Sequence, residues 1–132
     1  MENKKVKYNW ENKVILIVED TLTSNLYFEA ALAPTKAKLL SAKTSDEAIE
    51  IVKNNHIDLV LMDLKLPVGN GYEATKEIKK YKKEIPIIVQ TAYVLSNERD
   101  KSFEAGCDEF IAKPVNLNLL LSTIETYFIA KS

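Results

Sequence analysis

The chain has 132 residues, 46% hydrophobic and 28% charged, which is the balance of one folded domain rather than a disordered chain. Its 18 basic and 19 acidic residues leave a net charge of −1, so charge alone argues against a nucleic-acid or membrane surface. The one cysteine, Cys107, excludes an internal disulfide.

Residues 1–12 read as an arm or linker, polar apart from Val6, Tyr8 and Trp10, with Trp10 placed to cover the lower end of the fold. Residues 13–132 read as the domain. Its first apolar run, Val14 to Val18, is continuous and β-branched, as expected of a strand buried on both faces. Glu19-Asp20 follow. Thr21 is positioned to cap a helix reaching about Leu32, with Leu22, Leu26 and Ala30 on one apolar face, and Pro34 ends it. A second strand is expected over Ala37 to Ala42. Thr44 and Glu47 then make a capping-box pattern ahead of the stripe Ala48, Ile51 and Val52. A third strand spans Ile57 to Met62, preceded by the lone histidine, His56, at the end of the sheet away from any chemistry. Asp63 follows this strand.

The next helix follows Gly71, with Ala74 and Ile78 inward, and its lysine-rich end, Lys79 to Lys83, reads as a solvated surface. A fourth strand over Ile85 to Gln90 ends in Thr91-Ala92. The fourth helix, from about Ser96 to Ala105, stops at Gly106 and has only Phe103 and alanines as apolar anchors, so weak docking is expected. A fifth strand, Glu109 to Ala112, ends in Lys113-Pro114. The last helix follows Asn116, with Leu117, Leu120, Leu121, Ile124 and Phe128 on one face and Leu119 and Ile129 off it.

Strict β-α alternation, five times over, implies a parallel sheet with helices on both faces and right-handed crossovers. Ligands of such sheets bind beyond the carboxyl ends of the strands, near the point where strand order reverses. With strand order 2-1-3-4-5, Glu19, Asp20 and Asp63 converge there, with the Thr91 hydroxyl beside them and the Lys113 ammonium beyond. Clustered carboxylates repel, and burial makes their ionisation costlier. A hard divalent cation relieves that, and Mg2+ suits a site offering one or two carboxylates plus phosphate oxygens. A phosphoryl group would meet Lys113 as a point charge and Thr91 as a donor.

These residues resemble the receiver domain of two-component response regulators. The resemblance covers about Lys13 to Tyr127. It rests on Glu19-Asp20, on Met62-Asp63-Leu64-Lys65-Leu66-Pro67 with Gly69-Asn70-Gly71, on Thr91-Ala92 and on Lys113-Pro114. The stretches Leu61 to Ile78 and Gly106 to Val115 are most similar to receivers of hybrid sensor histidine kinases. The resemblance implies a flavodoxin-like (βα)5 doubly wound sheet and a signalling domain rather than an enzyme. Asp63 would accept a phosphoryl group from the phosphohistidine of a histidine kinase or histidine phosphotransfer domain. Asp20 would bind Mg2+ (or Mn2+) directly and Glu19 through water, with Asp63 and the Lys65 backbone carbonyl completing the set. Lys113 and the Ala92 amide would hold phosphate oxygens, a cis peptide would join Lys113 to Pro114, and Thr91 and Phe110 would switch. Lys65 and Tyr93 occupy positions implied to tune the lifetime of the phosphoryl group, and slow autodephosphorylation is expected. The output face would be helix 4, strand 5 and helix 5, for a partner or a second copy of the chain.

Three other functions fit these residues less well. A phosphatase of the haloacid dehalogenase type wants a second acid two residues after the nucleophile, where this chain has Lys65. A receiver-like module without chemistry would not need the full set Glu19, Asp20, Asp63, Thr91 and Lys113. A flavin site would need a glycine-rich or hydroxyl-rich phosphate loop after the first strand. The setting expected is cytoplasmic, either free-standing or as the cytoplasmic part of a membrane-bound hybrid kinase.

Overall fold

The computed structural model describes residues 8–92 and 97–130. Strands β1 (Val14–Val18), β2 (Lys38–Ala42), β3 (Leu59–Met62), β4 (Ile87–Thr91) and β5 (Glu109–Ala112) alternate with helices α1 (Leu22–Leu32), α2 (Ser45–Asn54), α3 (Gly71–Tyr81), α4 (Glu98–Ala105) and α5 (Leu117–Ala130). All strand pairs are parallel, in the order β2-β1-β3-β4-β5. The expected fold and strand order are therefore present, with strand edges shifted by a residue or two.

Every residue of β3 and β4 is buried, which is why these strands read as continuous rather than alternating apolar runs. Their side chains feed two cores. Leu16, Val60, Met62 and Val89 pack under Ala48 and Val52 of α2 and Ala74 and Ile78 of α3. Ile15, Ile17, Leu61, Ile88 and Ile111 pack on the other face under Phe28 and Leu32 of α1 and Leu120, Ile124 and Phe128 of α5. Trp10 belongs to this second core. Its ring meets Phe128 edge-on at 5.2 Å, and its Nε1–H donates to Glu125 at 2.7 Å. A short 3-10 turn, Ala33–Thr35, leaves α1 and supplies the Thr35 carbonyl that accepts from the Trp10 amide.

The caps explain most helix starts. Thr44 Oγ1 accepts from the Glu47 amide at 3.1 Å, while Glu47 reaches back to the Lys43 amide, a capping box displaced by one residue. Asn70 Oδ1 does the same for the Glu73 amide at the start of α3. Thr21 sits at the N-cap of α1 in extended backbone, yet its side chain makes no capping bond, contrary to expectation.

Two apolar faces are corrected. Leu22, Leu26 and Ala30 do share one face of α1, but that face is turned to solvent: Leu22 is 71% exposed and Leu26 54%. The helix is instead held by Asn25, Phe28 and Leu32. The spacing of four between Leu22, Leu26 and Ala30 makes a false stripe, because the true one, spaced 3 and 4, opens on a polar residue. Phe103 is likewise no anchor. It is 40% exposed under the Arg99 guanidinium, which lies 5.2 Å from its ring, and α4 buries Glu98, Ser102 and Ala105. Such a helix removes little apolar area from water and is weakly held. In α5, Leu120, Ile124 and Phe128 are buried, Leu121 is partly so, and Leu117 is exposed.

No helix among the described residues is long and apolar enough to cross a membrane. His56 is exposed and pairs with Asp58 at 2.9 Å, at the amino end of β3.

Candidate functional site

Parallel register brings the strand ends together. Val18 pairs with Met62 and Met62 with Val89. One residue further on, Glu19, Asp63 and Gln90 stand side by side across β1, β3 and β4. Side chains alternate along each strand, so these three follow Ile17, Leu61 and Ile88 on the face covered by α1 and α5. Lys113 follows Ile111 in the same way. The loops above enclose a cleft of about 590 Å³ lined by Glu19, Asp20, Asp63, Lys65, Thr91, Ala92 and Lys113, among others.

Glu19 is 1% exposed and is held at every oxygen. Its Oε1 accepts from Lys113 Nζ at 2.9 Å and faces Gln90 Nε2 at 3.5 Å, its Oε2 accepts from the Thr21 amide at 3.3 Å, and its carbonyl accepts from Asn25 Nδ2. Asp63 is buried, with its Oδ1 accepting from the Lys65 amide at 3.2 Å and its Oδ2 3.6 Å from Lys113 Nζ. Asp20 is exposed at the rim. One carboxylate oxygen from each of Glu19, Asp20 and Asp63 lies within 4.8 Å of the other two.

The electrostatics split the two buried acids. Burial, and next the neighbouring Glu19 charge, push the Asp63 carboxyl up to about 6 against the attraction of Lys113. Burial works against Glu19 as well, but the Lys113 ammonium and the Thr21 amide outweigh it and hold Glu19 below the usual carboxylate range. Lys113 is thus committed mainly to Glu19. The three carboxylates fit a divalent cation: an all-oxygen donor set, two of its members buried, carries more negative charge than one ammonium neutralises.

Local structure fixes the cleft. Gly71 opens α3 directly beneath the loop that follows β3, and its amide donates to the Leu64 carbonyl. A Cβ there would collide with the Asp63 carbonyl and the Leu64 Cα. Gly69 holds a left-handed φ of 78° in the same loop. The Lys113–Pro114 peptide is cis, and the Lys113 amide donates to the Thr91 carbonyl, tying β5 to β4 at the cleft floor. Thr91 is buried with Ala92 beside it on the lining. Phe110 is half-buried against the α2–α3 core, with Arg99 of α4 5.9 Å from its ring. Tyr93 lies outside the described residues.

Two features escaped the sequence reading. Gln90, a polar residue near the end of an apolar run, looks in the sequence like a strand boundary. Asn25 is hidden in the sequence because it falls off the leucine spacing of α1, yet it is buried and its Nδ2 donates to the Glu19 carbonyl. Cys107 is buried, and burial pushes its thiol up to about 12, so it is inert.

A family model described as the response regulator receiver domain matches residues 15–125. The polar-differentiation response regulator DivK of Brucella ovis is 29% identical over 117 residues, covering 87% of this chain and 95% of that protein. The receiver domain of the sensor histidine kinase PA1611 from Pseudomonas aeruginosa PAO1, solved with a magnesium ion in its active-site cleft, is 30% identical with a TM-score of 0.81, covering 87% of this chain and 96% of that one. A co-crystal structure of the Saccharomyces cerevisiae histidine phosphotransfer protein Ypd1 with the receiver domain of the response regulator Ssk1 gives 30% identity and a TM-score of 0.81, over 93% of this chain and 91% of that one. Sequence and fold agree with the cleft, and this chain belongs to the response regulator receiver domain family of two-component signalling.

Proposed function

We propose that the domain accepts a phosphoryl group on Asp63 from the phosphohistidine of a kinase or phosphotransfer protein and changes its surface in response. The observation that carries this is the placing of one buried carboxylate, held off its normal ionisation, between an ammonium and two further acids. An Asp63 oxygen attacks phosphorus. The new P–O bond forms as the P–N bond breaks, and the electron pair leaves with the donor imidazole. Lys113 turns from Glu19 to the phosphoryl oxygens, where Thr91 and the Ala92 amide also donate. Asp20, Asp63 and the Lys65 carbonyl would hold Mg2+ directly and Glu19 through water; the ion supplies charge neutralisation for the transferring group. Labelling of wild type and Asp63→Asn by acetyl phosphate tests the reading, as argued below.

The protein donor must bring its imidazole to the mouth of the cleft. Thr21 lines that mouth, and the exposed leucines of α1 begin at the next residue. We assign this face to the donor. Its apolar surface is what a helical partner would cover, and it is continuous with the rim where the chemistry occurs.

Output is assigned to α4, β5 and α5. Arg99 spans the rings of Phe103 on α4 and Phe110 on β5, so inward movement of Thr91 and repacking of Phe110 would loosen a helix already poorly anchored. Leu119 and Ile129, both exposed on α5, extend the face for a partner or a second copy. Amide resonances of α4 and β5 should shift on adding beryllofluoride with Mg2+, and a spectrum unchanged there would remove the switch.

Lys65, exposed on the cleft lining, is assigned with Tyr93 to shielding the acyl phosphate from water. The phosphorylated protein should lose its label slowly, and Lys65→Ala should lose it several-fold faster. Equal decay rates would end that role for Lys65.

A further inference from the structure

Gln90 is an amide in an apolar layer. It is 0% exposed, lies between Val89 and Thr91 two residues after Ile88, and is paired in register with Ile111. Among the described residues its Oε1 has no hydrogen-bond partner, and its Nε2 has one long contact, 3.5 Å to Glu19 Oε1. Burying a carboxamide this poorly satisfied is unfavourable, and an apolar side chain of the same size would avoid the penalty. The residue also sits in the row that carries Glu19 and Asp63, not elsewhere in the core.

The position of Lys113 shows what the amide can do. In this state the ammonium is 2.9 Å from Glu19 Oε1 and 3.6 Å from Asp63. In the function proposed above, on which this inference rests, Lys113 must leave Glu19 for the phosphoryl oxygens. Glu19 Oε1 then loses its short donor while its Oε2 keeps the Thr21 amide. Among the described residues, the other donor facing Oε1 is Gln90 Nε2, and closing from 3.5 Å to ordinary hydrogen-bond length needs only a small side-chain rotation.

We propose that Gln90 is a positioning residue for phosphoryl transfer: its carboxamide takes over Glu19 Oε1 as Lys113 departs, keeping Glu19 oriented and freeing the ammonium. A buried carboxylate keeping only the Thr21 amide would hold Lys113 back, because losing a hydrogen bond to a buried charge raises the cost of the ammonium's departure.

The test has two arms. In metal-free Lys113→Ala, which removes the competing donor, the Gln90 side-chain amide protons should move downfield relative to wild type, and in wild type they should do so on adding beryllofluoride with Mg2+. In Gln90→Met, of similar volume, the rate of phosphorylation by acetyl phosphate at saturating Mg2+ should fall about tenfold, the scale of one lost hydrogen bond to a charged group, while Mg2+ affinity changes less than twofold because Lys113 still holds Glu19 before transfer. Side-chain amide protons that stay in place in both samples overturn the proposal. So does a Gln90→Met protein labelled as fast as wild type, or one whose Mg2+ affinity and rate fall by the same factor, which marks a structural role only. A wild type that takes no label at all overturns the phosphoacceptor reading itself, which separates the two failures.

Discussion

Wild-type protein given acetyl phosphate and Mg2+ should gain one phosphoryl group, and Asp63→Asn should gain none, a difference of at least three orders of magnitude in rate read by intact mass. The amide cannot supply the attacking electron pair of a carboxylate, and Glu19 is an unsuitable substitute because Lys113, Thr21 and Gln90 already engage its oxygens. The same substitution should stabilise the metal-free fold. The Asp63 carboxyl is pushed from 3.8 up to about 6 by burial and by Glu19. Below the lower value it is neutral in the folded and unfolded chain alike. Between the two values the folded protein keeps a proton that the unfolded chain has released, so stability falls as pH rises through that window, and above it the whole penalty remains. At pH 7.5 without metal, Asp63→Asn should therefore be more stable than wild type by about 3 kcal/mol. The gap should close as pH falls toward 4. Mg2+ should stabilise wild type more than the variant. Urea unfolding at several pH values checks the sign; a variant less stable than wild type at pH 7.5 would show that the site is not strained by its own charge.

The parts of this site that were legible in the sequence share one physical origin. A parallel sheet buries its strands on both faces, so each strand is an apolar run that stops where the cleft begins; Glu19, Asp63 and Lys113 stood out as the first polar residues past those stops, and Thr91 as the residue on which β4 ends. Thr44 and Glu47 were readable through local capping chemistry, by their spacing of three ahead of an apolar stripe. Gln90 was hidden by the same rule. It lies inside β4, one residue before the stop, and only the register that sets it beside Asp63 gives it a neighbour to act on. Helix α1 failed differently. Leucines spaced by four make an apolar line whether or not anything inside the domain covers it, and burial, not spacing, decides which line faces the core. In α1 the choice fell to Phe28 and Leu32, whose larger contact with Ile15, Ile17 and α5 outweighs the leucines.

That leftover line gives the second large effect. Leu22→Asp with Leu26→Asp should reduce phosphotransfer from the cognate phosphohistidine protein by about 100-fold or more, while acetyl phosphate labels the double variant at the wild-type rate. The substitutions fall on side chains 71% and 54% exposed, so the domain loses almost no packing and should unfold within a few degrees of wild type. A small phosphodonor needs only the cleft. A protein donor must also dock beside it, and burying an aspartate against an apolar partner without a counter-charge costs several kcal/mol per residue. Placing the charges instead on the face assigned above to output, as Leu119→Asp with Ile129→Asp, should leave transfer intact, since these side chains lie on α5 and not at the cleft mouth. Equal loss with both donors would mean that the α1 charges disturb Glu19 through Asn25 or Thr21, which hold it from the same helix and its cap. Equal loss from both faces would mean that the donor reaches Asp63 over a wider footprint than α1. Only a loss confined to α1 and to the protein donor identifies these two leucines as the surface that brings histidine and aspartate together.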